Sequence, residues 1–246
     1  MAKAINLPNG RVWKTQTAAL THFKEMLGRY ADNDVVEDRA DHDDLIALLE
    51  RYDSAVTDQP SKIGGGVDLF FRKRNVFDGF STPSFWARRT DGSETDFSYI
   101  WGVKGEPKSD AQEFHDACRA SVNADLAAAK RYHFKAHGDT NGRVPCELTG
   151  ELIGIEEAHL DHAYPTFGHL VVTFRAARGW QHDVPVGILS QPADGQATTS
   201  FIDPTVSQAF VAFHHSAALL RIVRAKVNLA MAAGQRKPKV KQPVAI

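Results

Sequence analysis

Apolar residues recur at helical spacing twice near the start of the chain. From Thr17 to Tyr30 the positions Ala19, Leu20, Phe23, Met26, Leu27 and Tyr30 share one face, and from Asp41 to Tyr52 Leu45, Leu48 and Leu49 do the same behind an acidic start. Two amphipathic helices are therefore predicted. The period then changes. Ile63-Gly64-Gly65-Gly66-Val67 interrupts the helical pattern, and Asp68 to Arg74, Ser84 to Arg89 and Thr95 to Trp101 are short, aromatic or β-branched, and separated by turn signals at Asp78-Gly79 and Asp91-Gly92. That sequence of signals predicts an antiparallel sheet. The glycine triplet is followed by neither Lys-Ser/Thr nor a helix start, so it reads as a helix-to-strand turn and not as a phosphate cradle. Ala111 to Phe134, rich in alanine and stopping near Gly138, predicts a further helix that closes this first domain.

Gly138 to Arg143 reads as a polar linker, and Val144 to Ala163 alternates as a hairpin with Thr149-Gly150-Glu151 at its turn. Gln191 to Ser200 has the Gly, Ser, Thr and Ala composition of a flexible insertion. A final helix is expected from Asp203-Pro204, an N-cap aspartate before a proline at the first helical position. Its stripe is Phe210, Phe213, Ala217, Leu220, Val223, Val227 and Ala230, with a break near Ala217. The predicted fold class is α+β: N-terminal helices and an antiparallel sheet over residues 1–137, a ββα finger with a long final helix over 138–235, and a basic tail over 236–246.

The formal net charge of −1 gives no global nucleic-acid signal, but the charge is unevenly placed. Between Asp32 and Asp53 nine acids stand against Arg39 and Arg51, whereas from Arg221 onward there are seven Lys or Arg and no acid. The basic end is suited to a polyanion, and the acidic run reads as a solvated helical face. Cys118 and Cys146 lack CxxC spacing, which supports neither a disulfide framework nor a cysteine zinc knuckle and points to a reducing compartment. No stretch is apolar enough for a signal peptide or a membrane span, so a cytoplasmic protein with no membrane partner is expected.

The residues with chemistry lie in the second half. Leu160-Asp161-His162-Ala163-Tyr164-Pro165 puts a carboxylate beside an imidazole, and the stretch ending Arg224-Ala225-Lys226-Val227-Asn228 adds an amide. Phosphodiester cleavage needs an oxygen ligand for a divalent cation and a base for the attacking water, and Asp161 and His162 supply those two groups. His159, two residues before Asp161 in a strand, projects from the same face and is a candidate to line the site.

Two resemblances carry this further. Phe23, Arg29-Tyr30, Asp44-Leu45, Leu48-Leu49, Lys62-Ile63-Gly64, Phe85, Arg88, Asp91-Gly92, Phe97-Ser98-Tyr99, and then Ala117, Arg119, Val122, Lys130 and Phe134 resemble the DUF3223 domain over roughly residues 13 to 135. That domain is also named for the plant "defective chloroplasts and leaves" protein, and it recurs at the C-terminus of plant RNA polymerase IV and V large subunits. The resemblance implies association with nucleic-acid metabolism and no known catalytic chemistry. Cys146-Glu147-Leu148-Thr149-Gly150, His159-Leu160-Asp161-His162, Pro165, Phe167, Leu170-Val171, Phe174, Phe213-His214, Ala218, Leu220-Arg221 and Asn228-Leu229 resemble the HNH endonuclease superfamily, in a branch with a long insertion between the aspartate-histidine pair and its helix. The resemblance implies that Asp161 is a metal ligand, His162 the general base and Asn228 the second ligand. It implies His214, with His215 second, as the residue that orients the base. Relatives with two CxxC pairs would place the second pair at Arg224 and Val227; here only Cys146 remains, so no structural zinc is expected and packing must take its place.

The expectation is a DNA endonuclease with one divalent cation, Mg²⁺ first and Mn²⁺, Ni²⁺ or Zn²⁺ as alternatives, with RNA the open alternative as substrate. Arg221, Arg224, Lys226, Arg236, Lys237, Lys239 and Lys241 are expected to bind phosphates. One site cuts one strand, so double-strand cleavage would call for a homodimer. The alternative is a nucleic-acid-binding protein without catalysis, using Phe70, Phe71, Arg72, Lys73, Arg74, Trp86, Arg88 and Arg89 as its surface. A hydrolytic zinc site built from the histidines is disfavoured because HExxH is absent.

Overall fold

The structure is a computed structural model that describes residues 3–56, 60–77, 80–106, 108–190, 198–231 and 240–246. The described residues divide into two compact units, one up to residue 109 and one from residue 110 on, and the insertion expected over Gln191–Ser200 lies outside the described residues as far as Ala197.

The first unit opens with a two-stranded ribbon, β1 (Ile5–Asn6) and β2 (Val12–Trp13), followed by α1 (Gln16–Arg29) and α2 (Arg39–Ala55). Thr15 caps α1 by accepting from the Ala18 amide at 3.1 Å, and Asp38 caps α2 by accepting from Asp41 at 2.9 Å. The two helices fall where the apolar periodicity puts them. The acidic run is not only a solvated face, however. Asp41 and Asp44 are buried, and each is matched by partners: Asp41 by Arg29 and by the Tyr30 hydroxyl at 2.7 Å, Asp44 by His22 at 2.9 Å and Arg11 at 3.4 Å.

An antiparallel sheet follows, β3 (Val67–Phe77), β4 (Phe80–Arg89) and β5 (Glu94–Phe97), in the order β3-β4-β5. The glycine triplet is the expected turn into β3, with the Gly66 amide donating to Ile63 at 3.0 Å. Asp91-Gly92 is the turn between β4 and β5, whereas Asp78-Gly79 lie outside the described residues. Alternation sends Phe70, Phe85 and Phe97 inward onto Phe23, Leu45 and Leu48. The segment expected to continue β5 to Trp101 becomes a short helix, α3 (Tyr99–Lys104). Its Gly102 permits a close approach to α2, since a Cβ there would meet Leu48 Cγ at 2.9 Å.

The second unit begins with α4 (Asp110–His137), the alanine-rich helix expected to close the first domain. Its apolar face explains the difference: Phe114, Cys118 and Val122 are buried in one cluster with Phe167, Phe174 and Phe210, so the division falls at residues 109/110 and not after 137. The predicted hairpin over 144–163 is split. β6 (Val144–Pro145) pairs with β7 (Leu152–Ile153), a 3₁₀ turn covers Ile155–Glu157, and β8 (Ala158–His162) finds its partner far downstream. After α5 (Phe167–Ala177), the helix expected from Asp203-Pro204 appears as α6 (Pro204–Ala217), capped by Asp203. It does not run on. Leu220 to Arg224, with branched Ile222 and Val223, forms β9 against β8, and only the six residues of α7 (Ala225–Ala230) return to helix. The long final helix is thus replaced by helix, strand and short helix, because pairing with β8 buries Leu220 to Val223 completely. Both units are mixed α and β with small antiparallel sheets. No described helix is long and apolar enough to cross a membrane.

Candidate active site

β8 and β9 pair antiparallel with Asp161 opposite Arg221, His162 opposite Leu220 and His159 opposite Val223. Strand alternation therefore divides the candidate residues between two faces, His159 and Asp161 on one and Leu160 and His162 on the other. α7 follows β9 directly and brings Asn228 back to β8, where its amide lies 3.3 Å from His159 Nδ1. The result is a compact β8–β9–α7 unit whose strands are separated in sequence by α5 and α6.

On the His162 face, His162 Nε2 and His214 Nε2 are 2.8 Å apart, and both rings are buried. At that separation one nitrogen donates and the other accepts, so the pair cannot be doubly charged without breaking its bond. His214 is held neutral: burial first, then His215 and Arg119, push its pKa down to about 4. A neutral His214 that accepts at Nε2 would fix His162 as the Nε2–H tautomer, the arrangement that orients a base. The neighbouring candidate, His215, points elsewhere, with Nε2 3.4 Å from Asp125. Phe167 packs against both rings, 5.3 Å from that of His162 and 6.0 Å from that of His214.

On the other face, Asp161 is not open to solvent. Arg221 Nε donates to Asp161 Oδ2 at 3.0 Å, and the two side chains are 1% and 3% exposed. This corrects one expectation directly: Arg221 is buried against Asp161 and does not present a cation to a phosphate. Arg224 is likewise engaged, at 3.0 Å from both Glu151 and Glu157. Lys226 and Lys241 are exposed as expected of phosphate contacts, although the Lys241 backbone amide is anchored on Glu147 at 2.6 Å. Arg236, Lys237 and Lys239 lie outside the described residues.

Asp161, Asn228 and His159 are one carboxylate, one amide and one imidazole on a common face. That donor set suits a hard divalent cation that keeps several of its waters, with Asp161 and Asn228 as oxygen ligands. It fits on one condition, that Arg221 gives up Asp161. Among the described residues no group of three or more His, Cys, Asp and Glu side chains is placed to hold a metal ion.

What holds β7, β8 and β9 together is visible at Cys146. Its Sγ accepts from the Arg224 amide at 3.2 Å. Burial works to raise this thiol, but hydrogen bonds from the Thr149 hydroxyl and from the Arg224, Thr149 and Leu148 amides outweigh it and hold the pKa below the ordinary range. The Arg224 side chain then ties Glu151 and Glu157 from outside. A sulfur-centred turn and an ion-pair clip occupy the region where the resemblance would put a metal knuckle.

Two groups beside the site were not assigned to it from the sequence, although Arg119 figures in the DUF3223 resemblance. His115 and Arg119 come from α4, about 40 residues upstream of β8, and reach Phe167 at 5.1 Å between rings and 3.5 Å from Arg119 Cζ to the ring centroid. Only the packing of α4 against α5 and α6 brings them near His162.

Residues 24–103 match the model of a family described as a protein of unknown function, DUF3223. The match ends before α4, short of the residue 135 that the sequence resemblance suggested. A solved structure is similar: the solution NMR structure of an uncharacterized protein from Rhodospirillum rubrum, 36% identical, covering 42% of this chain and 91% of that chain, with a TM-score of 0.33. Among the curated proteins nothing matches the chain.

Proposed function

We propose, from the premise that the chain belongs to the DUF3223 family through residues 24–103, that its second unit is a metal-dependent phosphodiesterase of the HNH type acting on DNA. The observation that carries this reading is the contact of His162 Nε2 with His214 Nε2 at 2.8 Å, at the end of a strand whose preceding residue is Asp161. In this reading His162 takes the proton of the attacking water. His214, neutral and buried, accepts from His162 Nε2–H and stabilises the imidazolium that results, so the positive charge stays on the base. Asp161 and Asn228, on the opposite face of β8 from His162, would hold a divalent cation that supplies Lewis-acid stabilisation of charge on the phosphate, which requires the phosphate to sit at the strand end where both faces are within reach. Lys226 and the basic tail would bind flanking phosphates.

Arg221 sets the order of events. While it holds Asp161 the carboxylate is neutralised, so cation binding requires the guanidinium to swing away. The buried Asp161–Arg221 pair also favours a second reading, a nucleic-acid-binding protein with the same β8–β9–α7 unit and no catalysis. Divalent-dependent nicking of supercoiled plasmid by the full chain separates the two. Nicking with Mg²⁺ or Mn²⁺ that EDTA abolishes supports cleavage, and binding without nicking under all divalent conditions leaves only the second reading.

A further inference from the structure

We propose that Arg119 is the phosphate-binding cation beside the His162–His214 pair, clamping a nucleic-acid phosphate next to the base. The proposal deepens the nuclease reading, but phosphate binding by Arg119 does not itself require cleavage.

Four observations support it. α4 places Arg119 flat over Phe167, with Cζ 3.5 Å from the ring centroid, and the same ring lies against His162 and His214. The guanidinium is thus held over the ring by a cation–π contact. Second, among the described residues Arg119 has neither a hydrogen-bond nor an ion-pair partner, in contrast with Arg221 and Arg224, which are committed to carboxylates. Third, its charge is undercompensated: burial pushes its pKa down to about 10, with Asp116 only partly opposing, and yet it stays charged near neutrality. Fourth, His214 Nδ1 is wholly buried with no hydrogen-bond partner, so one polar atom of the histidine pair is left unsatisfied within the protein.

An unpaired planar fork on a rigid support beside a neutral imidazole pair is suited to bidentate contact with phosphate oxygens. Asp116 opposes the burial of Arg119 electrostatically, but among the described residues it forms no ion pair with it. The position also resolves a difficulty of the site. The sequence assigned phosphate contact to Arg221, which is buried against Asp161, whereas Arg119 supplies a cation on the face that carries the base.

The test uses the full chain in EDTA, with a fluorescein-labelled DNA duplex followed by anisotropy at several salt concentrations. Arg119→Met keeps much of the stacked stem and removes the charge. Affinity should fall about tenfold, and the slope of log affinity against log salt should become shallower by about 0.9, the loss of one phosphate contact. Arg119→Lys should recover the slope. In the parent protein, saturating duplex should protect Arg119 from phenylglyoxal, a measurement that decides the matter if Arg119→Met does not fold. A folded Arg119→Met with the parent slope, or an Arg119 equally reactive with and without duplex, overturns the proposal, as does a parent that does not bind the duplex. A parent that binds through Arg119 and never nicks DNA refutes the nuclease reading alone. A parent that nicks while Arg119→Met keeps its slope refutes the Arg119 proposal alone.

Discussion

Arg221→Met tests how Asp161 is held and what it is for. In the folded chain Arg221 and Asp161 form a buried pair at 3.0 Å, with side chains 1% and 3% exposed. Methionine fills much of the arginine volume but leaves the carboxylate without its counter-charge. Breaking a buried pair in this way costs about 3–5 kcal/mol. For a unit of this size each kcal/mol shifts the midpoint by roughly 3–5 °C, so the second unit should melt about 10–20 °C lower in EDTA. If Asp161 is a metal ligand, a divalent cation no longer competes with Arg221 for the carboxylate and replaces the lost charge. At a hundred times its dissociation constant it would return about 2.7 kcal/mol. Thermal and urea unfolding of parent and variant, each with EDTA and with Mn²⁺ or Mg²⁺, measures both terms. The cation should rescue Arg221→Met by much more than it stabilises the parent, in which Arg221 competes for the same oxygen. A variant as stable as the parent in EDTA refutes the buried pair, and a destabilised variant that no divalent cation rescues refutes Asp161 as a ligand.

Three further outcomes follow from named contacts. The unfolded chain takes up a proton at His214 near pH 6.5 whereas the folded chain resists until about pH 4. Stability from this group is therefore whole above about pH 6.5 and drains as the pH falls toward 4, by about 3 kcal/mol in all; unfolding from pH 7.5 to 4.5 should slope less steeply in His214→Gln, and parallel slopes would contradict the assignment. Arg224→Ala removes two exposed ion pairs from the clip on Glu151 and Glu157 and should shift the urea midpoint only slightly, because the Cys146 turn is held by backbone amides; a shift as large as that of Arg221→Met would make the clip a main support. Asn228→Ala should weaken divalent-ion binding and cleavage with little change in folding, while Asn228→His keeps a donor atom and should retain part of both; full cleavage by Asn228→Ala at limiting metal would remove this residue from the site.

The first unit was legible in the sequence because each element signals itself locally. Thr15 and Asp38 cap helices whose apolar positions follow a single period, and the Asp91-Gly92 turn marks its hairpin. The second unit was not legible in the same way, because its pairing is remote. β8 finds β9 some 60 residues later, and Leu220 to Val223 satisfy a helical stripe with α6 as well as a buried strand, so tertiary pairing decided what local period left ambiguous. The same remoteness governs the site. Asp161 and His162 were singled out from their chemistry and Asn228 and His214 from the HNH resemblance, and the structure sets Asn228 against His159 and His214 against His162. The roles of Arg221 and Arg119 could not be found, since a side chain's partner depends on strand register in the first and on helix packing in the second. Strand alternation, which set His159 on the Asp161 face, also separates that face from His162.

The central claim is that His162 acts as the base in phosphodiester cleavage. Its most direct measurement is single-turnover nicking of supercoiled DNA by the parent and by His162→Ala at matched divalent concentration, with duplex affinity measured in parallel. Loss of a general base should slow cleavage by about 10²–10⁴-fold while duplex affinity stays within about twofold, because the imidazole acts on the water and contributes little to holding the phosphate. Nicking by His162→Ala at the parent rate, under the same metal conditions, would contradict the claim.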